Sequence, residues 1–250
     1  MIEKIPRFLY HVAAQPEQKM LRRLISEYRL IKLTVAGSRL NNREYRGGKI
    51  HVIGDSHSTT FSGYPGFTVH WIGPATAYNL IEDNSSTKSK AIIFRLLHNI
   101  DMNAKILFVF GENDCRVQVY NAYMSEKQVK PIEDYIKDTV TRYGKFLKLL
   151  QERKGLDFAV LTVPPAVYGG QRYKLSHYAS KEVRARINKE FNEQLKLFCQ
   201  ENNIKCIDIY DKLATEDGLI KLNYLRDDIH LNRDVIPFVV EELKKVNMIN

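Results

Sequence analysis

Short apolar runs alternate along the chain with longer segments in which apolar residues recur at helical spacing. The short runs predict buried strands at 50–54, 67–72, 105–110, 157–163 and 204–209. The longer segments predict helices at about 87–100, 131–153, 181–202 and 234–246. Because strands and helices alternate, we expect an α/β fold: a three-layer α/β/α sandwich around a mainly parallel five-stranded sheet.

The first predicted strand stops abruptly at Gly54-Asp55-Ser56. Open α/β sheets bind their ligands at the carboxyl ends of the strands, so a serine at this position is well placed to act as a nucleophile. Gly, Asp and Ser are also common turn formers, and taken alone this segment favours a capped strand-to-helix turn.

Three further segments supply the other parts of an acyl-transfer site. Gly73 follows the second predicted strand, and its backbone N–H could point into a cleft. Asn113 follows the third strand, and its neutral amide can donate a hydrogen bond to an oxyanion without adding charge. Near the C-terminus, Asp227 precedes His230 by three residues, which is close enough to hold the imidazole while it serves as base.

Taken in order, these four blocks resemble the SGNH hydrolase superfamily, also called GDSL-type esterases. The blocks are Gly54-Asp55-Ser56, Gly73, Gly111-Glu112-Asn113-Asp114 and Asp227-x-x-His230. The resemblance spans roughly residues 49–250, and it implies a flavodoxin-like three-layer fold and a serine esterase. It implies that Ser56 is the nucleophile, His230 the base and then the acid, and Asp227 the residue that orients His230. The implied oxyanion hole consists of the Ser56 and Gly73 N–H groups and the Asn113 side chain.

The chain departs from the commonest motif at one position, because His57 follows Ser56 where leucine is usual. His57 either packs against its loop or contacts the substrate. Arg116 either clamps a substrate carboxylate or pairs with Asp114 or Glu112. The blocks as they stand here resemble a subgroup met in microbial surface-glycan contexts, which favours an acyl group linked to a sugar.

Two connections are candidates for shaping the substrate cleft. Residues 117–130 follow the third predicted strand, and residues 167–173, which include Tyr168, follow the fourth. Both mix aromatic and polar residues, and loops of this kind often determine specificity on a rigid scaffold. An ordinary solvated connection is the alternative. We take Tyr168 as a candidate substrate contact, together with His57 and Arg116.

Residues 1–48 carry much of the positive charge of the chain. They hold ten Lys and Arg against four Asp and Glu, or +6 of the total of +9. Residues 17–33 have an amphipathic helical pattern. A basic amphipathic helix can lie on an anionic membrane or partner, but more often it packs on its own domain. We therefore expect 1–48 to be a basic extension packed on a catalytic domain of residues 49–250.

Other site types find little support. There is no transmembrane-length apolar stretch, no apolar core of a secretory signal, no phosphate-binding Gly-rich loop and no His-Glu-x-x-His. Cys115, Cys199 and Cys206 lack metal-ligand spacing. We therefore expect a cytoplasmic protein with no cofactor or metal. A pI near 9.3 would allow nucleic-acid binding, but no recognised motif accompanies it, and an acidic glycan substrate explains the charge equally well.

Three functions remain open at this point. The leading one is a hydrolase that removes an acyl group, expected to be acetyl, from a carbohydrate or another small ester. The same serine chemistry could pass the acyl group to a sugar, which would make the protein an O-acyltransferase. The third is a non-catalytic glycan-binding module, although an intact set of site residues speaks against it. If His230 is the base, kcat/KM should fall on the acid side at roughly pH 6 to 7.

Overall fold

The computed structural model describes residues 50–250 apart from 102, 154 and 170–176, together with Leu24 and Tyr28. The five predicted strands are present as β1 Ile50–Gly54, β2 Phe67–Trp71, β3 Lys105–Val109, β4 Asp157–Leu161 and β5 Lys205–Ile207. All neighbours pair in parallel, in the order β2-β1-β3-β4-β5. The predicted parallel five-stranded sheet is confirmed.

Six α-helices lie in the described part of the chain, and the four long ones were predicted. They are α1 Ser89–Asn99, α2 Val119–Ser125, α3 Ile132–Gln151, α4 Lys181–Glu201, α5 Tyr210–Leu213 and α6 Ile236–Lys245. Short 3₁₀ helices occupy Ser56–Phe61, Ala77–Asn79, Leu222–Tyr224 and Arg233–Val235. A π-helical turn at Asp114–Gln118 leads into α2, so the segment 117–130 is partly helical rather than a plain connection.

The strands divide their side chains between two cores, as the period of two along a strand requires. On one face Ile106 and Phe108 pack with residues of α1, α3 and α4, including Phe191. On the other face Leu107 and Val109 pack with α6. Helices therefore cover both faces of the sheet, which is the predicted three-layer sandwich.

Several strands end earlier than their apolar runs do. Thr162 still donates its N–H to Ile207 at 3.0 Å, but Val163 leaves the ladder. The side-chain amide of Asn192 on α4 takes over, since it accepts from the Val163 N–H at 2.9 Å and donates to the Val163 carbonyl at 2.8 Å. The chain is thus steered off the sheet at its carboxyl edge.

The N-terminal extension expected over residues 1–48 lies outside the described residues, with the exception of Leu24 and Tyr28. Both are helical, and their relative exposures are 54% and 55%. Within the ranges given above, no helix has the length and apolar character needed to cross a membrane.

Candidate active site

Three strand ends meet at the carboxyl edge of the sheet. The N–H of Asp55, just past β1, donates to Val109 of β3 at 3.2 Å, and the N–H of Ile72, just past β2, donates to Gly54 at 3.0 Å. A Cβ on Gly54 would lie only 2.4 Å from the Val109 carbonyl oxygen, so the close approach requires glycine. As a result, the segments that begin at Asp55 and Gly73 leave the sheet side by side.

Ser56 is the first residue of the 3₁₀ helix that follows β1. Asp55 caps this helix, since its Oδ1 accepts from the His57 N–H at 2.8 Å. The Ser58 hydroxyl donates to the Asp55 carbonyl at 2.6 Å, which tightens the turn. The alternative of a capped strand-to-helix turn is therefore also correct as a description of the backbone, and Ser56 lies at its partly exposed start.

Ser56, His230 and Asp227 form one hydrogen-bonded chain. His230 Nε2 lies 3.0 Å from Ser56 Oγ, and Nδ1 lies 2.9 and 3.0 Å from the two oxygens of Asp227. A carboxylate only accepts, so Nδ1 carries the proton and Nε2 is left to accept from the serine. Asp227 also accepts from the backbone N–H groups of Ile229 and His230, both at 2.9 Å, which fixes its orientation.

The surroundings of these three side chains favour a neutral His230 imidazole beside an ionised Asp227 carboxylate. Desolvation and the charge of nearby His57 together lower the pKa of His230 to about 4, although Asp227 opposes both. Desolvation raises the pKa of Asp227, but hydrogen bonds from His230 and Ile229 outweigh it, so that pKa lies well below its usual range. The acid limb of activity is therefore expected near pH 4, below the range of 6 to 7 that the histidine reference value suggests.

Gly73 and Asn113, the candidate oxyanion donors, leave the same edge of the sheet as Ser56. Gly73 has φ +106°, a conformation that side-chain-bearing residues rarely adopt. Gly111 has φ +109°, and a Cβ there would lie 2.9 Å from the Phe191 ring and from Val163. That glycine lets the chain turn sharply from β3 into the helical segment on which half-buried Asn113 lies.

Asp114, which the sequence offered only as a candidate partner of Arg116, is a structural link between two segments of the site. Its fully buried carboxylate accepts from the backbone N–H groups of Ala77 at 2.7 Å and Tyr78 at 3.0 Å. It thereby ties the segment that carries Gly73 to the segment that carries Asn113. Desolvation raises the pKa of Asp114 to about 7, although the two N–H groups favour the charged form.

Behind the nucleophile lies a buried charged cluster of His57, Glu112 and Arg116. His57 Nε2 is 3.0 Å from one oxygen of Glu112, and Arg116 Nε donates to the other at 2.7 Å. The relative exposures of His57, Glu112 and Arg116 are 4%, 6% and 8%. Arg116 is thus paired with Glu112, one of the two arrangements anticipated, and His57 packs inside rather than facing solvent. The spacing of four between Glu112 and Arg116 is the only signal of this cluster that the sequence carries.

Tyr168 is not brought to the serine by any described contact. Its relative exposure is 44%, and its ring centroid lies 5.6 Å from Lys181 Nζ. Arg184 of α4 anchors the backbone on either side, donating to Val167 at 2.9 Å and to Gly169 at 2.6 Å. The next residues, 170–176, lie outside the described ranges, so a role for Tyr168 stays a prediction. In the part of the chain that the structure covers, no group of three or more His, Cys, Asp or Glu could hold a metal ion.

Comparison with known proteins identifies the fold. No family model and no curated protein sequence matches the chain. Among solved structures, a GDSL-like lipase from Bacteroides thetaiotaomicron has 15% identity and a TM-score of 0.57, with 88% of this chain and 96% of the lipase covered. A candidate acylhydrolase from Bacteroides fragilis has 17% identity and a TM-score of 0.56, covering 85% and 92%.

A candidate platelet activating factor from Streptococcus pneumonia has 15% identity and a TM-score of 0.57, with 93% of this chain and 99% of that chain covered. These matches extend over nearly the whole described chain and nearly the whole of each neighbour. At such low identities they establish architecture and not activity. The chain has the same α/β fold as these three structures, one of which is a GDSL-like lipase.

Proposed function

We propose that this chain is a serine esterase that removes acyl groups, acetyl in particular, from a carbohydrate or another small ester through an acyl-enzyme on Ser56. The observation that carries the proposal is the continuous hydrogen-bonded chain from Ser56 through His230 to Asp227. A serine hydroxyl is a weak nucleophile until a neighbouring base takes its proton, and His230 is within hydrogen-bond reach to do so.

In the proposed acylation step, Ser56 Oγ attacks the ester carbonyl while its proton passes to His230 Nε2. Asp227 stabilises the imidazolium that forms and keeps its orientation. The tetrahedral oxyanion is stabilised by the N–H groups of Ser56 and Gly73 and by the Asn113 amide. When the intermediate collapses, the ester C–O bond breaks and His230 returns the proton to the leaving alcohol.

In the proposed deacylation step, a water gives its proton to His230 and attacks the acyl-enzyme. The bond between the acyl carbon and Ser56 Oγ then breaks, His230 returns the proton to Ser56 Oγ, and the acid is released. A sugar hydroxyl in place of water would give acyl transfer by the same residues. We further propose that residues 49–250 form the catalytic domain and that residues 1–48 are an extension packed on it.

The test is a panel of acetyl, butyryl and longer 4-nitrophenyl esters and acetylated sugars, assayed with the full chain with and without an acceptor sugar. We expect hydrolysis that is fastest for acetyl and is abolished in Ser56→Ala. Ser62→Ala is the matched control, because Ser62 is an exposed residue at the end of the same 3₁₀ helix. Acyl transfer without hydrolysis would indicate the transferase, and a folded protein that turns over no ester would contradict the proposal.

A further inference from the structure

The residue that breaks the commonest motif lies beside the candidate base. The ring centroids of His57 and His230 are 5.0 Å apart, with the rings tilted by 43°. His57 is 4% exposed, so little water separates or screens the two imidazoles. A leucine at this position would fill space in the same place but would carry no charge.

His57 is held where it is by carboxylates on two sides. Its backbone N–H donates to Asp55, and its Nε2 lies 3.0 Å from Glu112 Oε2. Glu112 is held in turn by Arg116 on the following turn of the chain. The ring is therefore fixed between an anchored carboxylate and the ring of His230.

The surrounding charges favour a protonated His57. Burial lowers the pKa of His57, but the carboxylates of Glu112 and Asp55 outweigh burial and the opposing Arg116, so that pKa lies above its ordinary value. Desolvation raises the pKa of Asp55 to about 6. Desolvation also raises the pKa of Glu112, but Arg116 and His57 outweigh it and keep Glu112 ionised.

His230 faces three titratable side chains, His57, Asp227 and Glu112, besides the Ser56 hydroxyl. Arg226 lies beside Asp227, with its Nε 3.9 Å from Asp227 Oδ2. Of these neighbours, His57 is the one whose ring contacts the ring of His230. Its positive charge opposes protonation of His230.

We propose that His57 is a positioning residue whose buried positive charge keeps His230 in the neutral, proton-accepting form at mildly acidic pH. The inference rests on the proposed function, because it gives His230 the role of base. Glu112 and Arg116 then also belong to the site, because together they hold His57 in place and favour its charged form. Neither contacts Ser56 in the described structure. The wild-type chain is then expected to keep a neutral base at a mildly acidic pH at which His57→Leu loses it.

The first test compares pH profiles of kcat/KM from pH 3.5 to 8 for wild type, His57→Leu and His57→Gln. Removing a unit charge about 5 Å from His230 should move the acid limb up by about one to two pH units, with smaller changes at pH 8. His98→Gln, which removes an exposed histidine at the end of α1, is the control and should not move it. Folded His57 variants whose acid limb stays in place would overturn the inference.

The second test needs neither turnover nor a stable variant. Imidazole ¹⁵N NMR on the wild-type protein at pH 5.5 should show a charged His57 and a neutral His230. A neutral His57 at that pH would overturn the inference whatever the activity. Absence of hydrolysis together with the expected NMR signature would instead contradict the proposed function alone, so the two failures are distinguishable.

Discussion

Glu112 and Asp114, the two residues that flank Asn113, each have buried polar partners. Glu112 is paired with His57 and Arg116, and Asp114 holds the backbone of Ala77 and Tyr78. The backbone of Asn113 therefore lies between two residues that buried polar contacts hold in place. A donor held rigidly before the reaction costs no reorganisation when negative charge develops, which is what an oxyanion hole requires.

We expect Asn113→Ala to lower kcat by roughly 10²–10³, or about 3–4 kcal/mol, while KM changes little. The reason is that the amide acts mainly in the transition state. Asn113→Asp should be worse, since a carboxylate would face the developing negative charge. Asn121→Ala on α2 is the matched control. If Asn113→Ala keeps full kcat and only raises KM, Asn113 is a substrate contact and the oxyanion assignment is wrong.

Among the individual site residues, the sequence predicted the hydrogen-bonded series of Ser56, His230 and Asp227, because each lies in a short block whose chemistry is recognisable. It left the partner of Arg116 open between Asp114 and Glu112. It also did not predict that His57 and Glu112 pair. They are separated by two strands along the chain, and no local pattern records that β1 and β3 end next to each other.

Among the elements, the link between β2 and β3 matters most for the site. The segment after β2 carries Gly73, and Asp114 ties that segment to the π-helical turn after β3 through two hydrogen bonds. This link is side chain to backbone, so a single substitution can break it. The position of Gly73 relative to Ser56 and Asn113 should depend on it.

We expect Asp114→Ala to lower the free energy of unfolding by roughly 2–4 kcal/mol, because two buried N–H groups lose their acceptor. Denaturant titration measures this loss. The same variant should lose kcat, because Gly73 is no longer held. Asp114→Asn keeps one acceptor oxygen and should lose less of both. Wild-type kcat in a destabilised Asp114→Ala would mean that the link has no part in the proposed oxyanion hole.

The contribution of Asp114 to folding stability depends on pH, and its pKa fixes the direction of that dependence. The folded-state pKa of Asp114 is about 7, above the ordinary value of 3.8, so the folded state holds its proton more tightly. The contribution of Asp114 to the free energy of unfolding is therefore complete below about pH 3.8, and it is lost as the pH rises through 7. The stability advantage of wild type over Asp114→Asn should shrink over that interval.

The first strand was predicted with both bounds correct, the other four with ends one or two residues too late, and β5 also with a start one residue too early. Phe110, Val163 and Ile209 are buried apolar residues just past the strands, so the apolar run continues although the ladder has ended. At Val163 the side chain of Asn192 replaces the strand partner, and that contact spans 29 residues of sequence. The short helix α2 was missed, since its seven residues are too few to show a clear helical period.

For the whole molecule, the strand order explains why blocks scattered along the chain form one site. β1 lies between β2 and β3, so the first three blocks leave neighbouring strands at the same edge. The fourth block arrives after β5 and is attached to the nucleophile helix by a hydrogen bond from the Thr60 hydroxyl to the Leu231 carbonyl at 3.1 Å. The shared edge follows from a parallel sheet, whereas the strand order and the contact between Thr60 and Leu231 are not encoded in sequence patterns.

The central claim is that Ser56 is an activated nucleophile, and a fluorophosphonate probe tests it without knowledge of the natural substrate. Mass spectrometry of the labelled, digested protein should find one adduct, on Ser56. The adduct should be absent from Ser56→Ala and from heat-unfolded protein, unchanged in Ser62→Ala, and formed at least about 100-fold more slowly in His230→Ala. Labelling of another serine, or labelling of Ser56 at the wild-type rate without His230, would contradict the account.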